Sequence, residues 1–386
     1  MQPMAERMKK VEFSATLKTK EIINRLKKEG KSVLGFNLGE PDFDTPEHIT
    51  SAAISALNSG FTHYTSSLGI PELREAVANK SKQENQIPCG LENVIILPCK
   101  FGLYIAIQAL IDPGDEVLLP DPGWVSYIPM INMAQGKPVN VRTYNDDEFR
   151  ILPENIEKEI TDKTKMIILN SPSNPTGSVS THEDIKGIAK LAIDHDLFVL
   201  TDEIYEKIIY EGKHYSIAAE DGMFERTVTV NGFSKAYAMT GWRIGWAIAP
   251  KPILDEMSKI QQHSISHCTS FVQKAAVAAL NEKSESIQNM VSEFKARRDL
   301  VIKGLNEIKG ISCFLPKGAF YAFFKFDFEM TSQKFTDILL EKGGLSMTPG
   351  SAFGPGGEGF VRMSYAASRE NLKSGLEILN EVVKTL

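Results

Sequence analysis

The chain has 386 residues, 24% of them charged and 42% hydrophobic, and a formal net charge of −6. This length exceeds a usual single domain, so a large core and two domains are expected. The acidic balance gives no general electrostatic reason to bind nucleic acid or an anionic membrane, and no apolar run reaches the roughly 18 residues of a membrane-spanning helix.

Residues 1–44 read as a helical arm, with K20-E-I-I-N-R-L-K-K28 helical, leading into an extended segment. The hydroxyl-bearing stretch from Phe13 to Thr16 is expected to form a mobile lid that excludes water. The N-terminus lacks the apolar stretch of a signal peptide, so a cytoplasmic location is expected. Thr45-Pro46 starts a helix with Pro46 at its first position and Gly60 near its end.

From there to about residue 280, strands and helices alternate. The strand V94-I-I-L97 is followed by Pro98-Cys99-Lys100-Phe101-Gly102 and a helical run from Leu103 to Ile111. Free backbone amides at that helix start would attract a phosphate. Turns of this kind are common, so the signal is weak alone. K165-M-I-I-L-N170 and L197-F-V-L-T-D202 are continuous apolar runs closed by a polar residue, the pattern of strands buried on both faces. Between them, His182 to His195 puts Ile185, Ile188, Ala189, Ala192 and Ile193 on one helical stripe. Such alternation predicts an α/β fold with a mainly parallel sheet sandwiched by helices. Ligands bind such sheets at the carboxyl ends of the strands.

A further strand, T227-V-T-V230, precedes Ser234-Lys235, and Arg243 follows one or two helical turns on. A lysine amine beside a hydroxyl and an arginine suits an aldehyde held as a Schiff base next to a phosphate. An isolated Ser-Lys pair is usually a surface lysine in a loop. Asn174, Asp202 and Lys235 all follow buried strands of one sheet, and three polar groups converging there are less easily accidental.

After residue 280 a long charged helix, Glu285 to Asn306, leads to a smaller α+β unit. Its strands read as C313-F-L315, A319 to F326 and F360-V-R-M-S-Y365, with helices near 331–342 and 369–386. The expected division is 45–280 for the large domain, with 1–44 and 281–386 forming the small domain and its arm. The run F353-G-P-G-G-E-G-F360 resembles a phosphate loop, but no helix follows it, so a turn between strands is expected. Four cysteines, Cys89, Cys99, Cys268 and Cys313, lack paired metal spacing and suit a reducing compartment. No metal is expected.

Taken together, G39-E-P-D-F-D-T-P46, T62-H-Y-T65, G69-I-P-E-L-R-E-A76, D112-P-G-D-E-V117, N170-S-P-S-N-P-T-G177, D202-E-I-Y205, S234-K235, G241-W-R-I-G245, G350-S-A-F-G354 and V361-R-M-S-Y365 resemble one family over almost the whole chain. It is the class I aminotransferases of the pyridoxal-phosphate (PLP) fold type I, in their prokaryotic and archaeal aspartate or aromatic subgroup. The resemblance implies that Lys235 carries the cofactor covalently and moves the substrate proton, in a ping-pong exchange between an L-amino acid and a 2-oxo acid such as 2-oxoglutarate. It implies that Asp202 pairs with the pyridine nitrogen, and that Asn174 and Tyr205 donate to the ring's phenolate oxygen. Ser234, Arg243 and the amides of Cys99 and Lys100 would cradle the phosphate. Trp124 matches the aromatic on the ring face. Arg362 matches the arginine for the substrate α-carboxylate, which the Gly39 amide also meets. Tyr64 matches a tyrosine that reaches the phosphate of the neighbouring subunit, implying a homodimer with shared sites.

Taken singly, Trp124 and Tyr205 also fit a core, and Arg362 a solvated strand face. Pro98 and Cys99 stand where many relatives have small residues, and Pro98 has no amide to give. Gln108 stands where the resemblance suggests a lysine for a distal carboxylate, and it offers only neutral hydrogen bonds. Dual use of acidic and aromatic donors is therefore expected. Two other readings remain: a β-lyase or cyclopropane-forming synthase on the same scaffold, or a ligand-sensing domain without catalysis. The segment before Gly39 is short for the DNA-binding domain such sensors carry.

Overall fold

A computed structural model describes residues 5–11, 28, 30, 33–281 and 285–386. The lid expected at Phe13–Thr16 and nearly all of the arm helix lie outside the described residues.

A short strand, β1 (Leu34–Gly35), comes first. Seven strands then build the central sheet: β2 (Val94–Leu97), β3 (Glu116–Asp121), β4 (Lys137–Arg142), β5 (Thr164–Asn170), β6 (Phe198–Asp202), β7 (Thr227–Gly232) and β8 (Gly245–Ile248). Their spatial order is β2-β8-β7-β6-β5-β3-β4. The pairs from β7 through β4 are parallel, whereas β8 runs antiparallel to both β7 and β2. Every residue of β2, β7 and β8 is buried, which explains their unbroken apolar runs. The register pairs Asn170 with Asp202 and Asp202 with Val230. The carboxyl ends of β5, β6 and β7 therefore lie side by side.

The helix His182–Asp194 opens with a capping box, in which Thr181 and Asp184 satisfy each other's amides at 3.2 and 2.8 Å. Ile185, Ile188, Ala189 and Ala192 are buried as expected, but Ile193, in the last turn, is exposed. It sits at the edge of the stripe, where the helix surface turns to solvent. The helix after β2 spans Cys99–Leu110, four residues earlier than the periodicity suggested. Its first turn carries Cys99 and Lys100, which break the apolar pattern without breaking the helix. Pro46 sits one residue before the helix Glu47–Asn58. Between Lys235 and Arg243 the chain makes turns rather than a helix. Arg243 itself has φ of +55°, and its Nη1 donates to the Thr240 carbonyl at 2.7 Å.

A second, antiparallel sheet has the order β12-β13-β10-β9, from β9 (Ile311–Ser312), β10 (Tyr321–Phe326), β12 (Thr348–Pro349) and β13 (Phe360–Ser364). The remaining strand, β11 (Leu345–Ser346), pairs in parallel with β1. Phe36 joins the core of Phe294, Phe320, Phe324 and Phe335 under that sheet. Each such buried ring contributes ~1.5–3 kcal/mol. Cys313-Phe314-Leu315 is not a strand. The Asn306 side chain bonds both the amide and the carbonyl of Cys313, at 2.8 and 3.0 Å, and so occupies the groups a ladder would use. The Gly-rich run before β13 forms tight turns as expected. The Gly356 amide donates to both oxygens of Asp121, at 2.7 and 2.9 Å. A Cβ on Gly357 would come within 1.9 Å of the Gly350 carbonyl, so only glycine fits that approach.

Candidate active site

A cavity of about 290 Å³ opens beside the carboxyl ends of β5, β6 and β7, walled on the other side by residues of the second sheet. Eleven of the twelve expected site residues line it: Gly39, Cys99, Lys100, Trp124, Asn174, Asp202, Tyr205, Ser234, Lys235, Arg243 and Arg362. Tyr64 does not. It is 92% exposed, in a separate hollow with His63 and His267, its ring edge-on to His267 at 5.5 Å.

Lys235 follows the end of β7, and its ammonium donates to the Gly39 carbonyl. Burial pushes its pKa down to about 8, so a useful fraction is neutral near physiological pH. Asp202 ends β6. Its Oδ1 accepts from the Ile204 amide at 3.3 Å and its Oδ2 from the Tyr127 hydroxyl at 3.1 Å. Burial pushes its pKa up to about 6. Cys99 is held through its thiol, which donates to the Asn231 carbonyl at 3.1 Å. The helix behind it has no side-chain cap, leaving first-turn amides for an anion.

Arg362 is buried, although a strand arginine usually faces solvent. Its Nη1 donates to Asn174 Oδ1 at 2.8 Å, and its Nη2 to the Asn37 carbonyl at 2.6 Å. Its guanidinium lies 4.6 Å from the Tyr321 ring centre and 4.8 Å from that of Phe353. Its Nε is a buried donor without a partner among the described residues, and burial lowers its pKa. A buried guanidinium with a donor to spare is built for an incoming anion. Asn170 ties the strand ends together: its Oδ1 accepts from the Asn174 amide at 2.8 Å, and its Nδ2 donates to the Asp202 carbonyl at 2.9 Å.

Gln108 is outside this cavity; its side chain turns toward the Met130 carbonyl at 3.5 Å. Lys100, by contrast, lines the cavity beside Lys235, Arg243 and Arg362, and its ammonium stands 4.8 Å from the Trp124 ring centre. Burial, then the charge of Arg243, lowers its pKa. The sequence reading gave Lys100 only a backbone role and found no distal cation. Helix phase explains the difference: Lys100 is in the first turn, at the cavity, and Gln108 is two turns farther away. Sequence reasoning also missed Tyr127, Tyr321 and Asn37. Tyr127 closes the run D121-P-G-W-V-S-Y127, so its proximity to Trp124 was a usable signal. Nothing local marks Asn37 or Tyr321, which meet the site only through the second sheet.

The sequence matches the family Aminotransferase class I and II over residues 31–379. The chain belongs to that family. The aspartate aminotransferase of Pyrococcus abyssi is 45% identical over 92% of each chain. The aromatic-amino-acid aminotransferase 2 of Thermococcus litoralis is 43% identical, again over 92% of each. Among solved structures, the aspartate aminotransferase of Thermus thermophilus with maleate superimposes with a TM-score of 0.95 at 38% identity, covering 99% of this chain and 100% of that one. The aminotransferase activity and the type I fold expected from the motifs are thus both borne out. Among the described residues of this aminotransferase, no helix is long and apolar enough to cross a membrane.

Proposed function

We propose that this aminotransferase holds pyridoxal phosphate covalently at Lys235 and exchanges amino groups between L-amino acids and 2-oxo acids. The observation that carries this reading is the meeting, in one cavity, of a half-buried amine with depressed pKa, a buried carboxylate and a buried guanidinium whose Nε has no partner among the described residues. When bound, the cofactor supplies an aldehyde for the amine and a ring that accepts the electrons of a substrate carbanion.

The residues present fit that group. Ser234, Arg243 and the amides of Cys99 and Lys100 suit a phosphate. Asp202, ionised above about pH 6, suits a protonated ring nitrogen, and Tyr127 orients it. Asn174 and Tyr205 are the donors for a ring oxygen, and Trp124 is the aromatic for the ring face. Lys235, partly neutral at pH 8, takes and returns the proton of the substrate α-carbon. Arg362 binds the α-carboxylate through its planar fork, with the Gly39 amide beside it.

For substrate choice, Lys100 offers a second cation to a distal carboxylate, while Leu103, Val125 and Phe353 offer apolar wall to a ring. Aspartate, glutamate and aromatic amino acids are therefore the donors, with 2-oxoglutarate as acceptor. The exposure of Tyr64 supports a role toward a partner subunit in a two-fold dimer. The division into a large domain of 45–280 and a small one of 1–44 with 281–386, and a cytoplasmic location, complete the reading.

Borohydride reduction and peptide mapping should tag Lys235; a tag on another lysine overturns the assignment. Conversion of the cofactor to its amine form by an amino acid, reversed by a 2-oxo acid, separates an aminotransferase from a β-lyase. Lys100→Gln should lower kcat/KM for aspartate about tenfold or more relative to tyrosine, the worth of a charged hydrogen bond.

A further inference from the structure

Tyr321 is fully buried at the start of β10 and lines the cavity, yet nothing in the reading above gives it a task. Its hydroxyl is 2.7 Å from that of Tyr205. Its ring lies under the Arg362 guanidinium at 4.6 Å, and the two phenol rings meet edge-on at 5.8 Å. Gly39 keeps this arrangement open: a Cβ there would fall 2.3 Å from the Tyr321 oxygen. Among the described residues, Tyr321 is thus in direct contact both with the guanidinium proposed for the substrate carboxylate and with the phenol proposed for the cofactor.

We propose that Tyr321 is a positioning residue that couples occupancy of Arg362 to the strength of the Tyr205 hydrogen bond. The proposal rests on the cofactor reading above. Tyr205 has one proton. If that proton serves the cavity, the 2.7 Å contact must be filled by the Tyr321 O–H donating to the Tyr205 oxygen. A donor to a phenol oxygen makes the phenol's own O–H a better donor. The guanidinium against the face of Tyr321 polarises its O–H in the same sense. A carboxylate arriving at Arg362 cancels that charge, and both hydrogen bonds weaken together. Asn174, bonded to Arg362 at 2.8 Å, provides a separate route, so removing Tyr321 reduces the coupling without abolishing it.

The test uses the PLP-loaded enzyme and the pH midpoint of its visible absorbance, with and without the unreactive dicarboxylate succinate. Wild type, Tyr321→Phe, Tyr205→Phe and the double variant are compared, with thermal unfolding as the check on folding. A weaker Tyr205 donor stabilises the more anionic chromophore less, so the midpoint rises. Tyr321→Phe is expected to raise it by about half a unit or more. The succinate-induced shift should fall to about half of the wild-type value, since part of the coupling is lost. In the Tyr205→Phe background, Tyr321→Phe should add nothing. A Tyr321→Phe midpoint equal to that of wild type, or an effect that persists undiminished without the Tyr205 hydroxyl, overturns the coupling alone. A wild type that forms no lysine-bound chromophore overturns the coupling and the cofactor reading together.

Discussion

The segment Asp202–Glu206 has two faces, and they treat buried charge in opposite ways. Asp202 and Tyr205 face the cavity. Glu203 and Glu206 face away, into a polar cluster with Lys80, Asn85, His214 and Ser216. On that far side, Glu206 is ion-paired with Lys80 and accepts from Asn85 at 2.5 Å. Although burial opposes it, the Lys80 charge leads the groups that hold its pKa down at about 2. Glu203 accepts from Ser216 at 2.7 Å, and His214 Nε2 stands 3.0 Å from its other oxygen. Among the described residues the cavity-side Asp202 has no ion pair, and burial raises its pKa to about 6 although the Lys235 charge works against it. One face has its charges matched inside the chain. The other keeps a carboxylate at the cavity that is less fully matched within the chain. The lesson is that the free protein carries an energetic cost at the point proposed to bind the cofactor.

The sharpest way to break this contrast is to unpair the far side. Lys80→Met leaves Glu206 buried without its cation and should cost about 3–5 kcal/mol in denaturant unfolding. Loss of less than about 1 kcal/mol would place the pair among weak surface bridges.

Asp202→Asn should act in the opposite direction on stability. An aspartate whose folded pKa is raised costs nothing below its unfolded value near 4 and costs most above about 6. Removing it should stabilise the cofactor-free protein by about 2–3 kcal/mol at pH 8 and by little at pH 4. The same variant should lower the rate of amino transfer by about a hundredfold or more. A variant that is both less stable at pH 8 and fully active would end the comparison.

The smallest effect concerns His214. Burial opposes its charge, but Glu203 and Glu206 outweigh that and raise its pKa above the usual histidine value; Lys80 is the charge that works against them. A raised histidine contributes stability that is complete below its unfolded pKa and fades as pH rises through the folded one. The stability advantage of wild type over His214→Gln should therefore be greatest at and below about pH 6 and shrink toward alkaline pH, as read by thermal unfolding across pH.

The strands that frame the cavity were readable because they are buried on both faces and so run as unbroken apolar stretches, as in V94-I-I-L97 and M166-I-I-L169. The polar residues that close two of them, Asn170 and Asp202, were visible for the same reason. Helix starts were less legible. Cys99 and Lys100 belong to the first turn, where side chains face the cavity rather than the core, and apolar periodicity is silent there. The position of Gln108 outside the cavity was hidden for the same reason, since only the helix's placement in three dimensions tells which of the two residues lines it. Ile193 misled because the last turn of its helix lies at the rim of the packed surface.

By itself, the sequence determined the family and the mainly parallel sheet, and it singled out the lysine, carboxylate and arginine proposed here to carry amino transfer. These are carried by short motifs whose local chemistry is distinctive. The tertiary structure alone decided which groups share one space. Tyr321 and Arg362 arrive from the second sheet, Asn37 from the segment after β1, and Lys80 from the helix Pro71–Asn85. Their roles come from distances and burial between segments far apart in the chain. Electrostatic energies depend on those distances and on the loss of water, and no local pattern encodes either.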